Sequence, residues 1–431
     1  MRAGALVAVA CCCGLLAAAS QAQTIAGAAP DLATAATARE GAAAGAPPLG
    51  GPLASVASVP YLGGPVLHAN RTHVIFWDPR GSGLTFDTGY IALVEQFLHD
   101  VAADSHLTAN EYAITGQYPD AKGPAAYDST YAGAVLDTDS LPANGCTEPA
   151  LTGPGWSICL TDAQLQTEIE HELVVSHWPR AGDNIYFLVT PSGFGSCSDS
   201  SSSSCALGGS TDGYCGYHSS TASGILYAVI PYNAVPGHCQ SGNPRPNSNT
   251  ADPALSTISH EQIETITDPL GNAWIKPSGA EIADVCLTDY GRALGGNGSG
   301  QWDESIDGHH YWLQEIFSRV QDHCEPRPQP DTVSVRRDWA GKQVLFEGRA
   351  RMPGGAITDY SWSFGDGRRG QGASVTHEYD RAGTYELTLR VTDSAGNWTY
   401  ARRAVAVTAA RARDPASRRR GLALRPGSSR T

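Results

Sequence analysis

From Ala3 to Ala19 the chain is an unbroken run of apolar and small residues behind Met1-Arg2, closing on Ser20-Gln21-Ala22. A short basic start, an apolar stretch and a small-x-small end predict a secretory signal peptide over 1–22. Residues 23–58 are rich in Ala, Gly and Pro and hold no aromatic residue, which predicts a disordered linker or pro-region. Beyond it the pattern becomes that of a folded domain over 59–326. The β-branched and aromatic run from Thr72 to Trp77 reads as a buried strand, as do Asn184 to Thr190 and Gly224 to Pro231. Between them, Ile91, Val94, Phe97, Leu98 and Val101 recur at helical spacing over Gly89 to Ala103. Thr161 to Val175 predicts a second helix, with Thr161 as its N-cap and Asp162 in its first turn. Helices alternating with apolar strands predict an α/β fold with a mixed sheet, interrupted by long loops such as the serine-rich stretch 198–204.

Over 331–408 the pattern switches to short alternating segments separated by Gly and Asp turns, which predicts an all-β sandwich. Within it, Trp362-Ser363-Phe364-Gly365-Asp366-Gly367, His377-Glu378-Tyr379, Gly383-Thr384-Tyr385 and Val391-Thr392-Asp393 closely resemble the PKD domain family. The resemblance implies an immunoglobulin-like module of the kind appended to secreted enzymes and adhesins, with a cell-wall or carbohydrate surface as the partner. Residues 409–431 carry seven arginines against Asp414 and predict a basic disordered tail.

Composition narrows the class. The formal charge of −14 comes from 29 Lys+Arg against 43 Asp+Glu, so the chain repels a phosphate backbone and nucleic-acid binding is not expected. No stretch beyond the first reaches the roughly 20 apolar residues of a membrane span, so no transmembrane segment is expected. Eight cysteines follow residue 22, an even number without a CxxC spacing, which in an exported chain predicts disulfides. Because short loops close most easily, the expected pairs join sequence neighbours: Cys146–Cys159, Cys197–Cys205, Cys215–Cys239 and Cys286–Cys324.

The candidate chemistry lies in Thr257-Ile258-Ser259-His260-Glu261-Gln262-Ile263-Glu264-Thr265-Ile266-Thr267-Asp268-Pro269. Ile258, Ile263 and Ile266 suit a core-facing side, and Pro269 stops the helix. His260 and Glu264, four apart, project from one face. Glu261 stands where a carboxylate serves as general base to a metal-activated water. This is the geometric logic of H-E-x-x-H zinc peptidases, with Glu in place of the second His. Glu281 and Asp284 follow after a turn; Glu281 is the favoured third ligand, and Asp284 its partner or alternative. Asp268, one turn beyond Glu264, is placed to orient a ligand. Oxygen donors of this kind also suit Ca2+, which stands as the alternative ion to Zn2+. A polar face turned to solvent, and a His218 paired locally in its strand, are the plainer readings. His171-Glu172 with His177 is set aside as a zinc motif, because its histidines lie on different sides of a helix.

His260-Glu261-x-x-Glu264-x-x-Thr267-Asp268-Pro269, Asn272-Ala273-Trp274, Glu281-x-x-Asp284-x-Cys286 and Gly308-His309-His310-Tyr311 resemble a secreted bacterial family related to the plant EXORDIUM/phosphate-induced proteins. Gly63-Gly64-Pro65-Val66, Phe76-Trp77, Cys159-Leu160-Thr161-Asp162 and Tyr214-Cys215-x-Tyr217-His218 extend the likeness over about 60–325. It implies an extracytoplasmic protein with a zincin-like helix. The expectation is therefore a secreted zinc-dependent hydrolase acting on peptide or protein substrates. It would use Glu261 as base and His260, Glu264 and Glu281 or Asp284 as ligands, with the strand from Leu226 to Ile230 beside the substrate. The rival expectation is a non-catalytic wall- or carbohydrate-associated protein with structural calcium or a core acidic cluster.

Overall fold

The computed structural model describes residues 28–29, 59–147, 155–180, 182–207, 212–319, 321–327, 332–340, 343–351, 356–394 and 398–407. The expected signal peptide and basic tail, and all of 23–58 but residues 28–29, lie outside the described residues.

A five-stranded sheet organises the larger region. Its strands are β1 (Asn70–Trp77), β2 (Ser129–Asp137), β4 (Asn184–Val189), β8 (Tyr217–Ser220) and β9 (Leu226–Ile230), in the order β8-β9-β4-β1-β2. The pairs β9–β4, β4–β1 and β1–β2 are parallel, and β8 alone runs antiparallel, along one edge. A second sheet contains β3 (Ile158–Thr161), β5 (Phe194–Cys197), β6 (Ser204–Ala206) and β7 (Asp212–Tyr214).

Why the central strands read as continuous apolar runs is evident from their two faces. Val74 and Phe76 of β1, Ile185 and Phe187 of β4, and Ala228 and Ile230 of β9 belong to one core. Their alternates Ile75, Trp77, Tyr186, Leu188, Tyr227 and Val229 belong to another. A sheet covered on both sides has no reason to alternate with polar residues. Helices α1 (Tyr90–Ala103) and α3 (Asp252–Thr267) pack into the first core, and α2 (Asp162–Val175) into the second. The predicted α1 and α2 thus form within one residue of expectation. Gly89 caps α1 in the left-handed region, at φ 79°, and a capping box of Thr161 with Gln164 starts α2.

One expectation fails here. The strand from Leu226 to Ile230 is interior, paired with β8 on one side and β4 on the other, so its backbone is not available to a substrate. A buried apolar run has the same signature whether it ends up at an edge or inside a sheet.

Strands Thr332–Ala340, Gln343–Arg351 and Ser374–Glu378 form one sheet of the C-terminal region. Arg369–Gln371, Ile357–Ser363, Gly383–Asp393 and Trp398–Val407 form the other. Both close over a core that includes Phe346, Trp362, Leu389 and Val405.

All four disulfides join the expected neighbours: Cys146–Cys159, Cys197–Cys205, Cys215–Cys239 and Cys286–Cys324. The last ties the turn carrying Glu281 and Asp284 to the strand His323–Glu325. Replacing both Cys286 and Cys324 with Ala should lower unfolding stability by about 2–4 kcal/mol, read as a lower urea midpoint. An unmoved midpoint would mean that other contacts hold this turn.

Candidate metal centre

Helix α3 has no solvent face. Every residue from Asp252 to Thr267 is buried, so the expected exposed polar face is absent. Buried polar groups need partners, and an unmade hydrogen bond here costs on the order of 1–3 kcal/mol. The neutral polar side chains of α3 find them. Gln262 donates to Asn70 Oδ1 at 3.0 Å and accepts from the Tyr112 hydroxyl at 3.0 Å. Ser259 donates to Glu111 Oε1, Thr257 donates to Gln240 Oε1, and Ser256 accepts from the Gln314 backbone N–H. Thr265 and Thr267 bond back to the carbonyls of Glu261 and Ile263.

Among the ionisable side chains of α3, Asp252 accepts from Asn247 and Asn249, but the three in the motif behave otherwise. His260 Nε2, Glu261 Oε2 and Glu264 Oε2 are buried without a hydrogen-bond partner, and so are His218 Nε2, both oxygens of Glu281, and Asp284 Oδ1. Five of these atoms crowd together. His260 Nε2 lies 3.1 Å from Glu264 Oε2 and 3.4 Å from Asp284 Oδ1. His218 Nε2 lies 3.3 Å from Glu281 Oε1 and 3.9 Å from Glu264 Oε2. Donors about 2.0–2.1 Å from one tetrahedral ion stand about 3.3 Å apart, which matches these separations. The side chains fall into two sets sharing Glu264: His260, Glu264 and Asp284, and His218, Glu264 and Glu281.

The surroundings fix each donor's direction. Glu264 Oε1 accepts from the backbone N–H groups of Ala283 and Asp284, both at 3.0 Å, which leaves Oε2 facing inward. Gln314 donates through Nε2 to the Ala283 carbonyl, so its Oε1, 3.3 Å from His260 Nδ1, is the acceptor. That assignment puts the imidazole proton on Nδ1 and aims the Nε2 lone pair at two carboxylates. A lone pair facing carboxylate oxygens is repulsive unless a proton or a metal cation lies between them. Asp284 also holds the turn, accepting from the Glu281 backbone N–H at 3.0 Å.

Electrostatics point the same way. Burial opposes a charged His260, but the Glu264 and Glu261 carboxylates outweigh it and raise the imidazole pKa well above its usual range. Burial raises the Glu281 carboxyl strongly, and the negative charges of Glu264, Asp268 and Asp284 add to it. Burial also raises Glu261, against the pull of His260, and lowers His218. A positive charge at the centre would relieve the crowded carboxylates together.

Of the expected site residues, the structure groups Glu281 with Glu264 and His218 of β8, and groups His260 with Glu264 and Asp284. His218, taken as a local strand histidine, is therefore part of the cluster. Asp268 Oδ1 accepts from the Asn272 and Ala273 backbone N–H groups and shapes the turn after the helix, while its Oδ2 is buried without a partner and its charge bears on Glu281. His309 pairs with Asp100 and His310 stacks on Trp302, so neither enters the cluster. Asp289, which with Asp268, Glu281 and Asp284 would make up an oxygen set for calcium, sits beside the Cys286–Cys324 sulfurs.

Comparison with known proteins divides the chain. Residues 325–408 match the PKD domain family. Collagenase ColA of Clostridium perfringens is 39% identical over 75 residues, 17% of this chain and 7% of that protein. Protein EXORDIUM-like 3 of Arabidopsis thaliana is 30% identical over 145 residues, 26% of this chain and 42% of that protein. The chain thus spans less than half the length of either relative. Among solved structures, the PKD1 domain of the Vibrio cholerae metalloprotease PrtV is 28% identical over 18% of this chain and 95% of its own, with a TM-score of 0.17. OgpA from Akkermansia muciniphila covers 82% of this chain and 97% of its own at 8% identity, with a TM-score of 0.20. Among the described residues no helix is long and apolar enough to cross a membrane. The C-terminal region is a PKD domain, a module found in extracellular proteins, and the chain has a partial likeness to an EXORDIUM-like protein.

Proposed function

We propose that residues 59–326 form a zincin-like, zinc-dependent hydrolase that cleaves peptide bonds outside the cell, and that the PKD domain holds it on a protein or carbohydrate surface. The observation that carries this reading is the meeting of buried, unpartnered donor atoms in two sets that share Glu264, one with His218 and Glu281 and one with His260 and Asp284. Two imidazoles among the donors favour Zn2+ over Ca2+, which takes oxygen ligands. When bound, the ion supplies Lewis acidity to a substrate carbonyl.

The chain's own groups do the rest. Glu261 accepts a hydrogen bond from the His218 backbone N–H and keeps Oε2 free. From there Oε2 takes a proton from the attacking water and returns it to the leaving nitrogen. Gln314 holds His260 in one tautomer, and the two N–H groups on Glu264 keep that carboxylate turned inward. The partial match to a collagenase and the PKD family match support an extracellular setting.

Purified, folded protein should contain about one zinc per cluster by elemental analysis, and His218→Ala should lose it. Glu261→Gln should keep the metal while peptide hydrolysis falls by about 10²–10⁴-fold. Full turnover in Glu261→Gln would remove the assigned base. Stabilisation by calcium alone after chelation, with no cleavage, would favour the non-catalytic alternative.

A second variant probes the contact between β8 and α3. A Cβ at Gly216 would lie 2.4 Å from Thr257 Cγ2 and 2.9 Å from Glu261 Oε1. Gly216→Ala should therefore displace Glu261, cutting activity at least tenfold and costing about 1–3 kcal/mol of stability by denaturant titration.

A further inference from the structure

The donors from α3, β8 and the 281–284 turn form two sets of the same make-up. One is His260, Glu264 and Asp284, and the other is His218, Glu264 and Glu281. Each holds one imidazole, one carboxylate of its own and the shared Glu264, and neither holds both imidazoles. Glu264 Oε1 is committed to the backbone N–H groups of Ala283 and Asp284, so Oε2 is the atom the sets have in common. It lies 3.1 Å from His260 Nε2 and 3.9 Å from His218 Nε2.

A single ion answers only half of this arrangement. Held by His260, Glu264 and Asp284, it leaves His218 Nε2 and both Glu281 oxygens buried and unmet. Held by His218, Glu264 and Glu281, it leaves His260 Nε2 and Asp284 Oδ1 in the same condition. Charge gives the same count. Glu261, Glu264, Glu281 and Asp284 carry four negative charges when ionised, and among the described residues none of them pairs with a Lys or Arg. One divalent ion offsets two of those charges, and two ions offset all four.

Building on the zinc reading of this cluster, we propose that Glu264 Oε2 bridges two divalent ions, one in each set, so that the centre is dinuclear. Paired ions of this kind stand about 3.5–4 Å apart and clamp both the attacking and the leaving atom of a displacement. The side chains of His260 and Asp284 are each 6% exposed, against 2% for His218 and 0% for Glu281. The ion at His260 therefore exchanges with solution more readily. The purified chain keeps the ion at His218 and takes up the second when metal is added.

The test is titration of the metal-stripped full chain with Zn2+, and separately with Mn2+ followed by electron paramagnetic resonance. The wild type should bind two equivalents, and His218→Ala and His260→Ala one each. In the wild type, the second equivalent of Mn2+ should convert the hyperfine signal of an isolated ion into that of a spin-coupled pair, a readout that needs no variant to fold. One equivalent in the wild type, whichever variant loses it, would overturn the second ion and leave the single-zinc reading standing. Two equivalents of Mn2+ without spin coupling would overturn the bridge. Binding of neither metal would remove both the pair and the zinc reading beneath it.

Discussion

Everything at the α3 cluster follows from one constraint: a helix with polar side chains along most of its length is enclosed on all sides. Enclosure removes water as a partner, so each hydrogen-bonding atom must be met by the protein or remain unmet. The neutral residues Ser256, Thr257, Ser259, Gln262, Thr265 and Thr267 are met, one by one, from Glu111, Asn70 of β1, loops and the helix's own carbonyls. His260, Glu261 and Glu264 keep atoms unmet, and those of His260 and Glu264 lie beside unmet atoms from β8 and the 281–284 turn. Selective dissatisfaction of this kind distinguishes a prepared site from careless packing.

Glu264 is the pivot of that arrangement. One oxygen is immobilised by two backbone N–H groups, and the other faces imidazoles from α3 at 3.1 Å and from β8 at 3.9 Å. Three separate chain segments are thereby registered against one carboxylate. The substitution of Glu for a second His in the helical motif has a structural counterpart: the second imidazole comes from the antiparallel edge strand instead.

What the sequence discloses and what it hides divide along locality. Helices α1 and α2, the buried strands and the PKD sandwich rest on periodicities and caps within a few residues, and the disulfides join near neighbours; these were legible. So was the approach of His260 to Glu264, because residues four apart on a helix share a face. His218 was not, since alternation along a four-residue strand does not reveal which distant side chain it meets. The interior position of Leu226–Ile230 was equally hidden, because strand order is decided by pairing between segments. The polar stripe of α3 suggested a wet surface and turned out to be enclosed, since composition cannot separate a solvated helix from one whose polar atoms are answered individually.

The Cys286–Cys324 bond couples two kinds of maturation. It restrains the same turn that delivers Glu281 and Asp284, so oxidation of the thiols and capture of an ion favour a shared conformation. By reciprocity, whichever event comes first assists the other. On the proposed metal reading, a chain whose Cys286 and Cys324 are still thiols is a poorer chelator, and ion loading waits on oxidation of that pair.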